Sequence, residues 1–168
     1  RDHIDASLLE DVKDVPGVNR VFGMVNGSAT VTFDEKVLGR DGPPKFVGVW
    51  MDAAASPWDL FEGKGAVNPG EVVLDRASAK AAGVEVGDTV TVTAQGPPED
   101  FVVVGIARFA GADTSGGTSW ALFSLPQAQD LIIGNTEQID SIIVLGDGTR
   151  SDTVLASSIA TALGSSEI

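Results

Sequence analysis

Gly70-Glu71-Val72-Val73-Leu74-Asp75, continued by Gly83-Val84-Glu85-Val86-Gly87-Asp88 and Thr89-Val90-Thr91-Val92-Thr93, is the stretch on which the fold turns. Glu71 to Leu74 is apolar and β-branched enough to be a strand. Asp75 then suits the N-cap of a helix running to about Ala82, and Gly83 suits the left-handed position beyond its end. From Thr89 to Thr93, Thr and Val alternate, the pattern of a half-buried strand. After a polar, Pro-containing turn over Gln95 to Asp100, Phe101 to Ile106 is a further apolar strand. Two of these strands pair as a hairpin in this reading, which makes the middle of the chain a small β-rich unit.

Upstream, Lys45 to Asp52 is another strand, Ser56-Pro57-Trp58 begins a short helical turn, and Gly63 to Gly70 is irregular. Charges, glycines and a Pro-Pro pair make Asp34 to Pro44 a linker or long loop, so a lobe boundary is expected near residue 45. Ahead of it, Leu8, Leu9, Val12 and Val15 share one face of a helix capped by Asp5, or by Ser7 with Glu10, and ended by Pro16-Gly17. Val18 to Val25 and Ala29 to Phe33 flank Asn26-Gly27, a dipeptide suited to a type I′ turn, and predict a hairpin. Downstream, residues 110–119 are small and polar and predict a mobile surface loop. Trp120 to Phe123 is a strand, and Ser124 with Gln127 has capping-box spacing for a helix to about Ile133. Asp140 to Leu145 is the last strand. Gly146-Asp147-Gly148 is a turn, and Ser151 or Thr149 caps a helix with Leu155, Ile159, Ala162 and Leu163 on one side. The chain thus closes as it opens, with strand and amphipathic helix, and predicts an α+β fold of two interleaved lobes. One is formed by residues 1–44 with 136–168, the other by residues 45–135.

Composition restricts the chemistry. A chain of 168 residues, 43% hydrophobic and 21% charged, can bury a core without cross-links, and it has no cysteine for disulfides, thiol catalysis or thiolate metal sites. Lys and Arg number 11 against 24 Asp and Glu, a formal net charge of −13 that repels nucleic acid and anionic lipid. No run approaches the roughly 18 apolar residues of a membrane span, and no leader is evident. An opening Arg1 without methionine reads as a piece of a larger exported protein, with any anchor outside it. The sole imidazole is His3, too near the chain end to build a triad with Ser119, whose Gly117-Thr118-Ser119-Trp120-Ala121 setting lacks the last glycine of a nucleophile elbow. Glu62, Glu71 and Asp75 are read as surface carboxylates, and Asp140, Asp147 and Asp152 as turn and cap residues without the spacing of a calcium loop. Gly63 to Gly70 lacks the Lys-Ser/Thr of a phosphate loop. No catalytic residue, cofactor or metal site is therefore expected. What stands out is aromatic: Trp50, Trp58, Phe61, Phe109 and Trp120 are either core-packing residues or anchors for a partner. Trp58, Phe61, Phe109, Asp113 and Trp120, at the edges of or within two candidate loops, form the expected partner-binding set.

The order of several segments carries a resemblance. They are Val15-Pro16-Gly17-Val18, Phe46-Val47-Gly48-Val49, Trp58-Asp59-Leu60-Phe61-Glu62-Gly63, Gly70-Glu71-Val72-Val73-Leu74, Gly83 to Val90, Phe101 to Ile106, Trp120 to Gln129 and Ile139 to Val144. In that order they resemble the MacB-like extracytoplasmic core domain of FtsX-like ABC-transporter permeases, over essentially the whole chain. The resemblance implies a porter-like lobe from both chain ends, a sabre-like middle lobe, and insertion between the first and second transmembrane helices of a permease. It also implies a cytoplasmic ATPase partner, an extracytoplasmic protein or substrate as the other partner, and no catalytic residues. A stand-alone extracytoplasmic binding or adaptor domain is the alternative reading. The isolated chain is expected to be a monomer.

Overall fold

The computed structural model describes residues 3–38, 45–52, 56–113 and 118–164. In chain order the first elements are β1 (Ile4–Asp5), α1 (Leu8–Lys13), β2 (Val18–Met24), β3 (Gly27–Phe33), β4 (Lys36–Val37), β5 (Lys45–Val49) and β6 (Trp58–Gly63). There follow β7 (Glu71–Asp75), α2 (Arg76–Ala82), β8 (Thr89–Thr93), β9 (Glu99–Phe109), β10 (Trp120–Phe123) and α3 (Leu125–Ala128). A π-helical turn over Gln129–Ile133 extends α3, and β11 (Gln138–Ile139), β12 (Ser141–Gly146) and α4 (Asp152–Leu163) complete the chain.

Two units emerge, Arg1–Met24 with Asn135–Ile168, and Val25–Gly134. In the first, β2 and β12 form an antiparallel ribbon and β1 pairs with β11. Val12 of α1, Val15 just after it, and Leu155 and Ile159 of α4 pack together, with Val18, Val21, Ile142 and Val144 of the ribbon against them. Ser151 is the cap of α4, its Oγ accepting from the Val154 N–H. Leu163 is half-buried on the expected face, whereas Ala162 is exposed.

The second unit closes on itself. Strand β3 pairs with β5, β5 with β10, β10 with β7, β7 with β9, β9 with β8, and β8 again with β3. Such closure leaves the ring without an edge. Alternation sends Val47, Val49, Ala121, Phe123, Leu74, Val72, Phe101 and Val103 to one face, where all are buried. Phe101 and Phe123 meet edge to face at 5.2 Å, a contact worth about 0.5–1.5 kcal/mol beyond the area it buries. Asp75 caps α2 through the Ser78 N–H, and Gly83 ends it at φ 72°.

Four expectations need correction. Asn26-Gly27 is no hairpin turn: β2 pairs with β12 and β3 with β5 and β8. Gly27 is instead a packing glycine, since a Cβ there would lie 2.7 Å from Ile132 Cδ1. The two-residue turn with positive φ lies at Asp34 (50°) and Glu35 (63°), joining β3 to β4. Because β3 belongs to the barrel, the first division falls after Met24 and not near residue 45. Ser56-Pro57-Trp58 starts a strand rather than a helical turn, the Ser56 Oγ accepting from the Trp58 N–H two residues on. Finally, Ser124 and Gln127 make no capping box: Gln127 Oε1 accepts from the Gly70 N–H, and the buried Ser124 Oγ has no hydrogen-bond partner among the described residues. Most of the 34–44 linker and the centre of the 110–119 loop lie outside the described residues.

Candidate partner-binding surface

The outer face of the barrel carries the aromatics. On this face Trp120 stands beside Phe46 and Leu122 beside Gly48, in the parallel register of β10 and β5. Gly48 makes room for the indole, since a Cβ there would sit 3.2 Å from Trp120 Cζ3. On β6 and β9, Trp58 lies opposite Phe109. Ring centroids run 5.2 Å from Phe46 to Trp120, 6.1 Å from Trp120 to Trp58 and 5.1 Å from Trp58 to Phe109. The result is one continuous aromatic strip across the strands. Its floor is a small buried cluster of Ala66, Val73, Val104, Ala107 and Leu122, against which Trp50, Trp58 and Trp120 pack.

Phe61 and Asp113 belong to the flank of this strip. The Arg76 guanidinium lies 3.9 Å from the centre of the Phe61 ring and donates to Asp113 Oδ1 at 3.0 Å. Arg108 Nε approaches the same oxygen at 3.3 Å, an ion pair by distance although its N–H is too poorly aligned for a hydrogen bond. Asp113 is held in turn by its backbone carbonyl, which accepts from the Ala77 N–H, and by the tight turn at Ala110 (φ 48°) and Gly111 (φ 82°) that links Phe109 to Ala112. All five sequence-predicted residues thus fall in one neighbourhood, two on the flank and three in the strip.

Beneath the strip lies a charged pair that sequence reasoning missed. Lys45 Nζ donates to Asp75 Oδ1 at 3.0 Å with both side chains buried. The same carboxylate accepts from the Trp120 N–H and from the N–H and hydroxyl of Ser78. Burial pushes the Lys45 ammonium below the usual lysine range, and the Asp75 charge opposes that shift. Ser119, weighed as a nucleophile, shares a hydrogen bond with Ser78 at 3.0 Å. His3 Nδ1 meets Asp140 Oδ1 at 2.9 Å in the other unit. Phe46, Arg76 and Arg108 were also missed. Phe46 had a signal in the alternation Phe46-Val47-Gly48-Val49, whereas the arginines are brought in by the β7–α2 cap and by β9, at distances in sequence that no pattern records.

No group of His, Asp and Glu among the described residues is placed to hold a metal ion. No helix among them is long and apolar enough to cross a membrane. A unit assembled from both chain ends, with a closed barrel inserted between them, defines an α+β insertion domain with an aromatic outer face. The chain belongs to the family described as the MacB-like periplasmic core domain, which matches residues 1–160. As a member it is an extracytoplasmic domain of an ABC-transporter permease. Its fold is similar to the periplasmic region of MacB from Actinobacillus actinomycetemcomitans, at 16% identity and a TM-score of 0.67 over 95% of this chain and 72% of that one. It is also similar to the extracellular domain of the noncanonic ABC-type transporter YknZ from Gram-positive bacteria, at 14% identity and a TM-score of 0.65 over 98% of this chain and 87% of that one. A domain of a putative permease from Porphyromonas gingivalis follows at 14% identity and a TM-score of 0.59, over 98% and 71%. No curated protein matches the chain.

Proposed function

We propose that this domain couples ATP-driven motion of the permease to an extracytoplasmic partner or substrate, and that the aromatic strip with its Phe61 and Asp113 flank is the surface that meets it. In this reading the unit made of both chain ends is the porter-like lobe, joined to transmembrane helices outside the chain and through them to a cytoplasmic ATPase. The barrel is the sabre-like lobe that carries the contact surface. One observation supports the reading above the rest: the barrel core is complete without the strip, yet Phe46 and Phe61 stay 42% and 48% exposed beside half-buried Trp58, Phe109 and Trp120. Partly buried aromatics flanked by arginine and aspartate are the composition of binding hot spots. With its partners absent, the isolated chain is a monomer.

The test replaces Phe46 and Trp58 by alanine in the full-length permease and places a photoreactive residue at position 61. Loss of the permease's cellular function with normal folding and membrane insertion, together with a cross-link from position 61 to an extracytoplasmic molecule, is expected. Full function in the double variant would remove the strip from the mechanism.

A further inference from the structure

Strand β6 ends the sheet path and, among the described residues, pairs only with β9. It takes up the side of β9 that β8 leaves, since β8 pairs with Glu99 to Val102 and β6 with Gly105 to Phe109. The Ala110 N–H donates to the Pro57 carbonyl, and the Lys64 N–H to the Val104 carbonyl. Antiparallel alternation turns the backbone groups of Leu60 away from β9, and beyond the register shift between Leu60 and Glu62 the Lys64 bond leaves the Gly63 carbonyl facing away as well. The strand is open in its side chains too: Asp59 to Gly63 are all exposed, with Leu60 at 42% and Phe61 at 48%. A native edge of this kind is ordinarily covered, or blunted by charges, proline or a bulge. Here the strand interior holds no lysine or proline; its own devices are a register shift between Leu60 and Glu62 and the carboxylates of Asp59 and Glu62, which repel another acidic strand and leave the edge open to a basic one, and its first residue is Trp58 of the aromatic strip.

We infer that β6 accepts an added strand from a partner: an extended segment of a protein in which basic residues alternate with apolar ones. Backbone bonds to Leu60 and Gly63 supply affinity, as in strand addition generally. Charge fixes the chemistry of the occupant. Asp59 lies opposite Arg108, but Arg108 turns to Asp113, and neither Asp59 nor Glu62 makes an ion pair with any described residue. These two carboxylates, on a chain of net charge −13, select lysine or arginine on the incoming strand. A second copy of the chain is disfavoured because it brings a second net charge of −13 to the same acidic edge. The inference rests on the partner-surface reading above and adds the mode of contact and the chemistry of the partner.

The probe is an acetylated, amidated peptide of about eight residues alternating Lys and Val, added to the 168-residue chain at physiological ionic strength. Calorimetry and amide exchange should show saturable binding with protection of the Leu60 amide on β6. Methylating alternate peptide nitrogens keeps the side chains and removes the donors on one edge, and should weaken binding about tenfold or more, as should replacing Lys by Glu. The double variant Asp59→Lys with Glu62→Lys, both changes on exposed positions, should reverse the preference toward the acidic peptide. Equal binding of the N-methylated peptide overturns strand addition while leaving the aromatic strip as a side-chain contact surface. Indifference to peptide charge, unchanged preference in the double variant, self-association through β6, or no binding at all each overturns the proposed occupant. Failure of the strip itself is read separately, in the Phe46 and Trp58 variant of the permease.

Discussion

Asp75 holds together the end of β7, the start of α2 and the start of β10. Its Oδ2 caps α2 through the N–H and hydroxyl of Ser78, and its Oδ1 accepts from the Trp120 N–H and from Lys45. The two partners in the ion pair are therefore not equivalent. Asp75→Ala leaves a buried ammonium whose one remaining acceptor among the described residues is the Trp120 carbonyl at 3.4 Å, and is expected to cost about 3–5 kcal/mol. Lys45→Met fills a similar volume and leaves Asp75 with its Ser78 and Trp120 donors, so a cost of about 1–2 kcal/mol or less is expected. Urea unfolding of both variants checks the order, and a larger loss in Lys45→Met would contradict it. The pH dependence has an unusual sense. Because the folded pKa of Lys45 lies below 10.5, the native state releases this proton before the unfolded chain does. The unfolded state then binds more protons, and stability contributed by Lys45 rises with pH between the lowered value and 10.5. The gap between wild type and Lys45→Met should accordingly shift in favour of wild type as pH climbs toward 10.5; a shift the other way would mean that attraction by Asp75 outweighs burial. Nothing in the sequence announced this pair, since Lys45 and Asp75 sit 30 residues apart in strands that do not pair with each other.

At the scale of the element, local chemistry was legible where the partners of an element are its own neighbours. The β7–α2–Gly83 segment follows this rule: strand, cap and left-handed stop all lie between Glu71 and Gly83. The hairpin at Asn26-Gly27 fails for the complementary reason, that two adjacent strands each found a better partner far along the chain. A dipeptide permits a turn, but strand pairing is decided by which apolar faces can be covered, and β2 and β3 cover theirs in different units. The same contrast explains the connector between β6 and β7, read from its glycines and proline as irregular. It is ordered by Glu71, whose Oε1 accepts from the N–H groups of Asn68 and Val67 and whose Oε2 pairs with Lys64. The Asn68 bond is the main cause that holds the Glu71 carboxyl below the usual range; burial opposes it, and Val67 and Lys64 add to the lowering. For a carboxylate of depressed pKa the stabilisation is complete above the unfolded value near 4.5 and is lost as pH falls through the folded value. Amide exchange at Val67 and Asn68, corrected for its intrinsic pH dependence, should therefore accelerate selectively below pH 4.5, and Glu71→Gln should show the fast rate at neutral pH. Equal rates in wild type and Glu71→Gln at neutral pH would deny the carboxylate this role.

For the whole molecule, the division into units separates a part that can close on itself from a part that cannot. The first unit draws β2 and β12 from opposite ends of the chain, and a two-stranded ribbon needs its helices to be stable. Residues 1–24 alone hold β2 without β12 and α1 without Leu155 and Ile159, so that segment has no reason to fold by itself. Residues 25–134 contain every strand of the ring from β3 to β10, the Phe101 and Phe123 core, the Lys45–Asp75 pair and the cluster beneath the aromatic strip. Gly134, at φ 89°, ends the π-helical turn where the unit ends, its N–H donating back to the Gln129 carbonyl. The fragment 25–134 is therefore expected to fold on its own. All three tryptophans of the chain, Trp50, Trp58 and Trp120, lie within it, so their emission reports on the barrel alone. The fragment should reproduce the tryptophan emission and near-ultraviolet circular dichroism of the intact chain, unfold cooperatively in urea, and protect the amides of Val103 and Phe123 from exchange. Solvent-exposed tryptophan emission without a cooperative transition would show that the barrel depends on the other unit, and that its closed pairing is not sufficient for stability.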